Sequence, residues 1–254
     1  MKNVSDRKPV VLELRGVGKT FFCDSGKEVP ALKDVNIAVR DGEFVAITGV
    51  TGCGKTTLLN LIAGVERYDS GEICFGNGLK LKSDIAYVFQ HYTLFPWRTI
   101  LKNVTFGLQM RGVSKEDRKR AALGLIKKVG LTGFENHYPH ELSGGMQQRA
   151  AIAQALATKP KLLLMDEPFG ALDDSTRKDL QQMLIELWQE SKMTVIFVTH
   201  NIDEALMLGE RVLVFKERPG SIGLDIKVDM PRPRNKTAKE FTDLFIQIRK
   251  TLSA

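Results

Sequence analysis

Apolar and polar residues alternate over Val10–Leu14 and again over Val35–Val39, the period-two pattern of half-buried strands. Phe44–Thr48 is a short apolar run ending at a glycine-rich turn, which predicts a buried strand, and Lys55–Ala63 follows it with helical composition. Further short apolar runs come at Ile85–Phe89, Leu162–Met165, Val195–Thr199 and Val212–Phe215. Strands alternating with helices in this way predict an α/β protein with a largely parallel sheet covered on both faces.

From about Tyr92 to Thr158 the strand signals stop. Ser114-Lys115-Glu116-Asp117 reads as a capping box, and Ala121, Ala122, Leu125, Ile126 and Val129 then recur at helical spacing. Gly130 stands where a C-terminal cap belongs. The stretch is expected to be an all-helical insertion at about 92–158, set into a core of about 1–91 and 159–254. Two more helices are marked by Leu180, Met183, Leu184, Leu187 and Trp188, and by Phe241, Leu244, Phe245, Ile248 and Leu252. Both stripes read as core-packing faces.

Composition narrows the class. The 254 residues are 43% hydrophobic and 26% charged, as in an ordinary globular protein. Met1–Pro9 has no apolar signal region and no apolar run reaches spanning length, so the chain is expected to stay in the cytosol. Cys23, Cys53 and Cys74 are odd in number and lack a C-x-x-C spacing, which suggests neither a disulfide framework nor a zinc site. The formal charge of +7 is spread along the chain, with a modest concentration from Arg232 to Lys239 that reads as solvated surface. No nucleic-acid motif accompanies it, so no nucleic-acid partner is expected. His137 and His140, three apart, join no ligand set and read as packing or solvent-facing residues.

Gly49, Val50, Thr51, Gly52, Cys53, Gly54, Lys55 and Thr56 match G-x-x-x-x-G-K-[ST] between a predicted strand and a predicted helix. Glycines let the backbone wrap closely round phosphate and turn N–H groups and the positive helix end towards the anion. Lys55 supplies a point charge for the β- and γ-phosphates, the Thr56 hydroxyl suits Mg²⁺, and Thr57 is the next candidate nucleotide contact. Leu162–Met165 runs into Asp166 and Glu167, two carboxylates at a strand end, where ligands of parallel sheets bind. Asp166 suits a hydrated Mg²⁺, and Glu167 suits orientation or deprotonation of an attacking water.

Leu142-Ser143-Gly144-Gly145-Met146-Gln147-Gln148-Arg149 resembles the signature motif of ABC-type ATPases, and the surrounding chain matches that family from about Val10 to about Phe215. The resemblance implies a P-loop NTPase of the ABC type: a mostly parallel sheet, an N-terminal antiparallel β part and an all-helical insertion. It implies ATP and Mg²⁺ as ligands. It also implies a dimer in which Ser143, Gly144, Gly145 and Gln147 of one subunit close over nucleotide held by another, an identical or a related chain. By the same resemblance Phe21 looks like the aromatic that stacks on adenine, with Phe22 as rival and a core role as the plainer reading. Gln90 resembles the glutamine that senses Mg²⁺ and water, Asp173 lies in a loop that communicates across the dimer, and His200 resembles the histidine that contacts the γ-phosphate.

His91–Arg98, Phe169–Asp173, Asn201–Ala205, Arg218–Gly220 and Pro231–Arg234 are similar to bacterial importers of nitrate, sulfonate, taurine or bicarbonate. Such a chain sits on the cytoplasmic face of the inner membrane and drives a separate permease, indirectly served by an extracytoplasmic solute-binding protein. Leu94, Phe95, Trp97 and Arg98 are the candidate docking residues, against the alternative that Phe95 and Trp97 are core aromatics. Only 54 residues follow His200, so no added regulatory domain is expected. Cys53, near a helix N-terminus, is expected to have a lowered thiol pKa and to react with alkylating agents. Competing readings are a soluble ABC protein acting on DNA or ribosomes and a non-catalytic nucleotide-binding scaffold. The first usually carries heptad insertions or two cassettes per chain; the second tends to lose the glutamate or histidine, and Glu167 and His200 are both in place.

Overall fold

A computed structural model describes residues 8–24, 26–90 and 93–253. The first seven residues, read above for targeting signals, and His91 and Tyr92, at the start of the docking segment and of the predicted insertion, lie outside the described residues. The elements run β1 (Val10–Phe22), β2 (Glu28–Arg40), β3 (Phe44–Gly49), α1 (Lys55–Ile62), β4 (Ser70–Phe75), α2 (Leu81–Asp84), β5 (Ile85–Val88), α3 (Ile100–Val104), α4 (Phe106–Met110) and α5 (Lys115–Lys128). After a 3₁₀ turn at Pro139–Glu141 come α6 (Gly144–Ala157), β6 (Leu162–Asp166), α7 (Asp174–Ser191), β7 (Thr194–Thr199), α8 (Ile202–Leu208), β8 (Arg211–Phe215), β9 (Ile222–Lys227) and α9 (Lys239–Leu252).

The described residues form two compact units, one up to Lys82 and from Lys192 onward, the other Ser83–Ser191. In the first, strand order β7-β3-β8-β9 is parallel except for β9, which returns antiparallel beside β8. Every residue of β3 and β7 is buried, as strands covered on both faces require. Ala46, Val212 and Val214 pack with Ala205 and Leu206 of α8 and with Phe241 and Ile248 of α9.

A second, antiparallel sheet has the order β2-β1-β4. β1 and β2 are 13 residues each, much longer than the alternation predicts. Register shifts between Leu14 and Val17, next to Gly16 at φ 60°, break the period of two although pairing continues. β4 and β9 carry no fully buried residues; Ile73 and Phe75 in β4 and Ile222, Leu224 and Ile226 in β9 alternate as half-buried residues of edge strands, a short pattern that the apolar runs did not include.

The second unit pairs β5 with β6 in parallel, and its described residues 93–158 contain helices and no strand. Ser114 Oγ accepts from Asp117 N at 3.2 Å, capping α5, and Gly130 at φ 71° ends it. Ala122, Ile126 and Val129 are buried, whereas Ala121, expected on the same face, is exposed because it lies on the outer side of the turn.

The basic run at 232–239 is not wholly the solvated surface expected. Arg234 is 8% exposed and donates to the carbonyls of Leu206 at 2.6 Å and Gly209 at 2.5 Å, while Arg232 donates to those of Met207 at 2.8 Å and Leu208. Together they satisfy the C-terminal carbonyls of α8. Burial, helped by the neighbouring Arg232, brings the Arg234 pKa down to about 10.

Candidate functional site

β3 ends at Gly49, and the loop to α1 bends through Gly52 at φ 81° and Gly54 at φ 98°, the latter in the N-cap position without a side-chain cap. At Gly54 a side chain would also meet the Ala31 carbonyl, since an added Cβ would lie 2.8 Å from it. Lys55 is buried and its ammonium donates to the Gly49 carbonyl at 2.8 Å and the Val50 carbonyl at 3.0 Å. The first turn of α1 has no acidic residue, so its N–H groups and Lys55 form a cradle for an anion. Thr51 and Thr56 are exposed, Thr57 half-buried.

Cys53 departs from expectation. It is 1% exposed, and burial pushes its thiol pKa up against the opposing pull of Lys55. Desolvation outweighs the helix end here, so Cys53 is a packing residue beneath the loop. Gly220 presses on it from behind: an added Cβ would lie 2.0 Å from the Cys53 carbonyl oxygen. The Gly220 N–H donates to Ala31 O at 2.9 Å and its carbonyl accepts from Lys33 N at 3.0 Å, pinning the Arg218–Gly220 segment behind the loop.

In the same unit Phe21 is half-buried with the Lys19 ammonium 5.1 Å from its ring centroid, and Phe22 is the more open ring. His200 follows β7 and is exposed.

In the second unit β6 is buried throughout and delivers Asp166 at its end, where the Tyr87 hydroxyl donates to Oδ2 at 3.5 Å. Burial, then the Asp166 charge, raises the Tyr87 pKa and keeps it a donor. Glu167 is half-buried with a left-handed backbone, φ 43°, unusual for a residue with a side chain. Gln90 is exposed just beyond β5.

Ser143 caps α6, its Oγ accepting from Met146 N at 3.4 Å, and Gln147 Nε2 donates back to Leu142 O at 3.1 Å. Gly145 is buried against the start of α7, where an added Cβ would lie 2.4 Å from Thr176 Cγ2. Asp173 caps that helix by accepting from Ser175 N at 3.1 Å and Thr176 N at 3.0 Å, bonds that hold its carboxyl below the usual range. The structure thus brings the signature glycine and Asp173 to the same helix end.

Leu94 is buried, but Trp97 is 72% exposed, so it is not the core aromatic of the plainer reading. Phe95 is half-buried between Trp97 and Phe106, with the Arg98 guanidinium 4.9 Å from the Phe106 ring centroid. Asn103, which sequence reasoning missed, holds this loop. Fully buried, it accepts from Phe95 N at 2.7 Å and donates to the carbonyls of Arg98 at 2.9 Å and Thr99 at 3.1 Å.

A family model described as ABC transporter matches residues 32–170. The chain belongs to the ABC transporter family. It is an ATPase of that family, and the matched span contains the loop at Gly49–Thr57, the signature segment, Asp166 and Glu167. An uncharacterized ABC transporter ATP-binding protein of Methanocaldococcus jannaschii is 49% identical over 241 residues, covering 94% of this chain and 90% of the relative. The nitrate import ATP-binding protein of Synechocystis is 43% identical, covering 90% of this chain and 88% of the relative. A dimeric ATP-binding cassette solved in a post-hydrolysis state with ADP and Pi superimposes with a TM-score of 0.76 at 36% identity, covering 87% of this chain and all of that one.

Among the described residues no group of three or more His, Cys, Asp or Glu side chains is placed to hold a metal. Mg²⁺ usually takes one or two protein oxygens and completes its shell with water and phosphate, and the exposed Thr56 hydroxyl in the first unit and the Asp166 carboxylate in the second are each a donor of that kind. The residues present therefore fit Mg²⁺ arriving with nucleotide. Among the described residues no helix is long and apolar enough to cross a membrane.

Proposed function

We propose that this ABC ATPase powers import of a small anion such as nitrate, sulfonate, taurine or bicarbonate, from the cytoplasmic face of the inner membrane. Relatives with these import functions in their names support the solute class; an aliphatic sulfonates import ATP-binding protein of Bacillus cereus, 39% identical, is one. The observation that carries the nucleotide reading is Lys55, whose ammonium lies 2.8 Å from the Gly49 carbonyl inside a loop of positive-φ glycines. Loop N–H groups and Lys55 bind the phosphates, and Phe21 or Phe22 stacks on adenine. Thr56, Asp166 and Gln90 would hold Mg²⁺, which when bound neutralises phosphate charge.

Glu167 orients the attacking water as its base and His200 contacts the γ-phosphate. Two subunits sandwich two nucleotides, with Ser143, Gly144, Gly145 and Gln147 of one facing the phosphate loop of the other and Asp173 linking them. The helical insertion at about 92–158 presents Leu94, Phe95, Trp97 and Arg98 to a permease. The test is Mg²⁺-dependent phosphate release by the purified chain against its concentration, beside Lys55→Ala. A turnover that rises with concentration and is abolished in the variant is expected; equal activity in the variant overturns the phosphate assignment.

A further inference from the structure

His200 stands between two residues that a buried carboxylate ties together. The Thr199 hydroxyl donates to Glu204 Oε2 at 2.5 Å and accepts from the Asn201 backbone N–H at 3.0 Å. Asn201 Oδ1 in turn accepts from Glu204 N at 3.2 Å, which closes a ring around the backbone of His200. Thr199 and Glu204 are both buried, while His200 is exposed. A carboxylate in the first turn of α8 would gain its favourable dipole interaction at the surface without desolvation. Here it is turned inward, where its oxygen anchors the residue before His200.

The other end of α8 is held as well. Arg232 and Arg234 donate to its last carbonyls, so the helix that carries Glu204 is fixed at both termini. Thr48, the cross-strand partner of Thr199, directly precedes Gly49, so the strand bearing His200 and the strand bearing the phosphate loop end side by side. We propose that Glu204 is a positioning residue for His200: through Thr199 and Asn201 it holds the backbone on either side and thereby fixes where the imidazole points. This rests on the assignment of His200 to the γ-phosphate given above.

The experiment is a double-mutant cycle on steady-state ATP hydrolysis by the full chain, combining Thr199→Val, Thr199→Ser and Glu204→Met each with His200→Ala. Thr199→Val should lower kcat by about tenfold or more, the scale on which outer-shell partners act, with the KM for ATP little changed. Thr199→Ser, which keeps the hydroxyl, should restore most of the rate. In the His200→Ala background Thr199→Val should cost almost nothing further, because residues acting as one unit are non-additive. An equal loss in both backgrounds, with His200→Ala itself impaired, overturns the brace alone. Wild-type turnover in His200→Ala overturns the role of His200 and the brace with it. If Thr199→Val does not fold, Glu204→Met, which removes the carboxylate at similar volume, is read in the same cycle.

Discussion

Gly220 lies against the backbone of Cys53 so closely that a Cβ added to it would stand 2.0 Å from the Cys53 carbonyl oxygen. The two are far apart in sequence, yet the second is part of the phosphate loop. Gly220→Ala should therefore displace the loop, lowering stability by about 1–3 kcal/mol, as overpacking does. ATP affinity should fall with it. Thermal denaturation beside nucleotide titration checks this; a variant with unchanged melting and affinity would show that the loop yields freely.

The burial of Cys53 predicts unequal thiol chemistry. Cys23 and Cys74 are exposed and should be alkylated quickly, whereas Cys53 should react only when the protein opens, as peptide mass spectrometry would resolve. Because the folded thiol has a raised pKa, the unfolded chain loses this proton first as pH climbs. The Cys53 contribution to stability is thus complete below the ordinary thiol pKa and declines above it. Cys53→Ser should flatten that alkaline decline in denaturant titrations.

Glu167→Gln should retain ATP binding while turnover falls roughly 10²–10⁴-fold, the usual worth of a positioned general base. Sedimentation in ATP should show the variant as a dimer that persists. Near wild-type turnover would assign water activation to another group.

Asn103 and Trp97 should separate folding from docking. Asn103→Ala leaves the Phe95 N–H and the Arg98 carbonyl without their side-chain partner, while the Phe95 and Thr99 carbonyls keep backbone donors, and should cost about 1–3 kcal/mol in denaturant titration. Trp97→Ala, at an exposed ring, should change stability by no more than about 0.5 kcal/mol. It should nonetheless weaken co-purification with the permease; undiminished co-purification would move the docking surface elsewhere.

What the sequence determined by itself is local. Phe44–Gly49 running into Gly54 and Lys55, Leu162–Met165 running into Asp166 and Glu167, and Ser143 opening α6 each place chemistry and its supporting element within a few residues. Hydrophobic runs and turn glycines report such neighbours directly. The cap of α5 at Ser114 and its end at Gly130 were legible for the same reason.

The tertiary structure alone decided what depends on distant partners. Whether Cys53 is activated by a helix end or silenced by burial turned on packing around the loop, and desolvation prevailed. Arg234 reads as one more solvated charge until the carbonyls of Leu206 and Gly209 arrive beside it. Gly220, Tyr87 and Glu204 have no chemical role that the sequence assigns, although Gly220 and Glu204 lie in segments similar to those of bacterial importers. Their roles come from the groups they meet, Cys53, Asp166 and Thr199, and hydropathy along a chain records burial but not the identity of the neighbour.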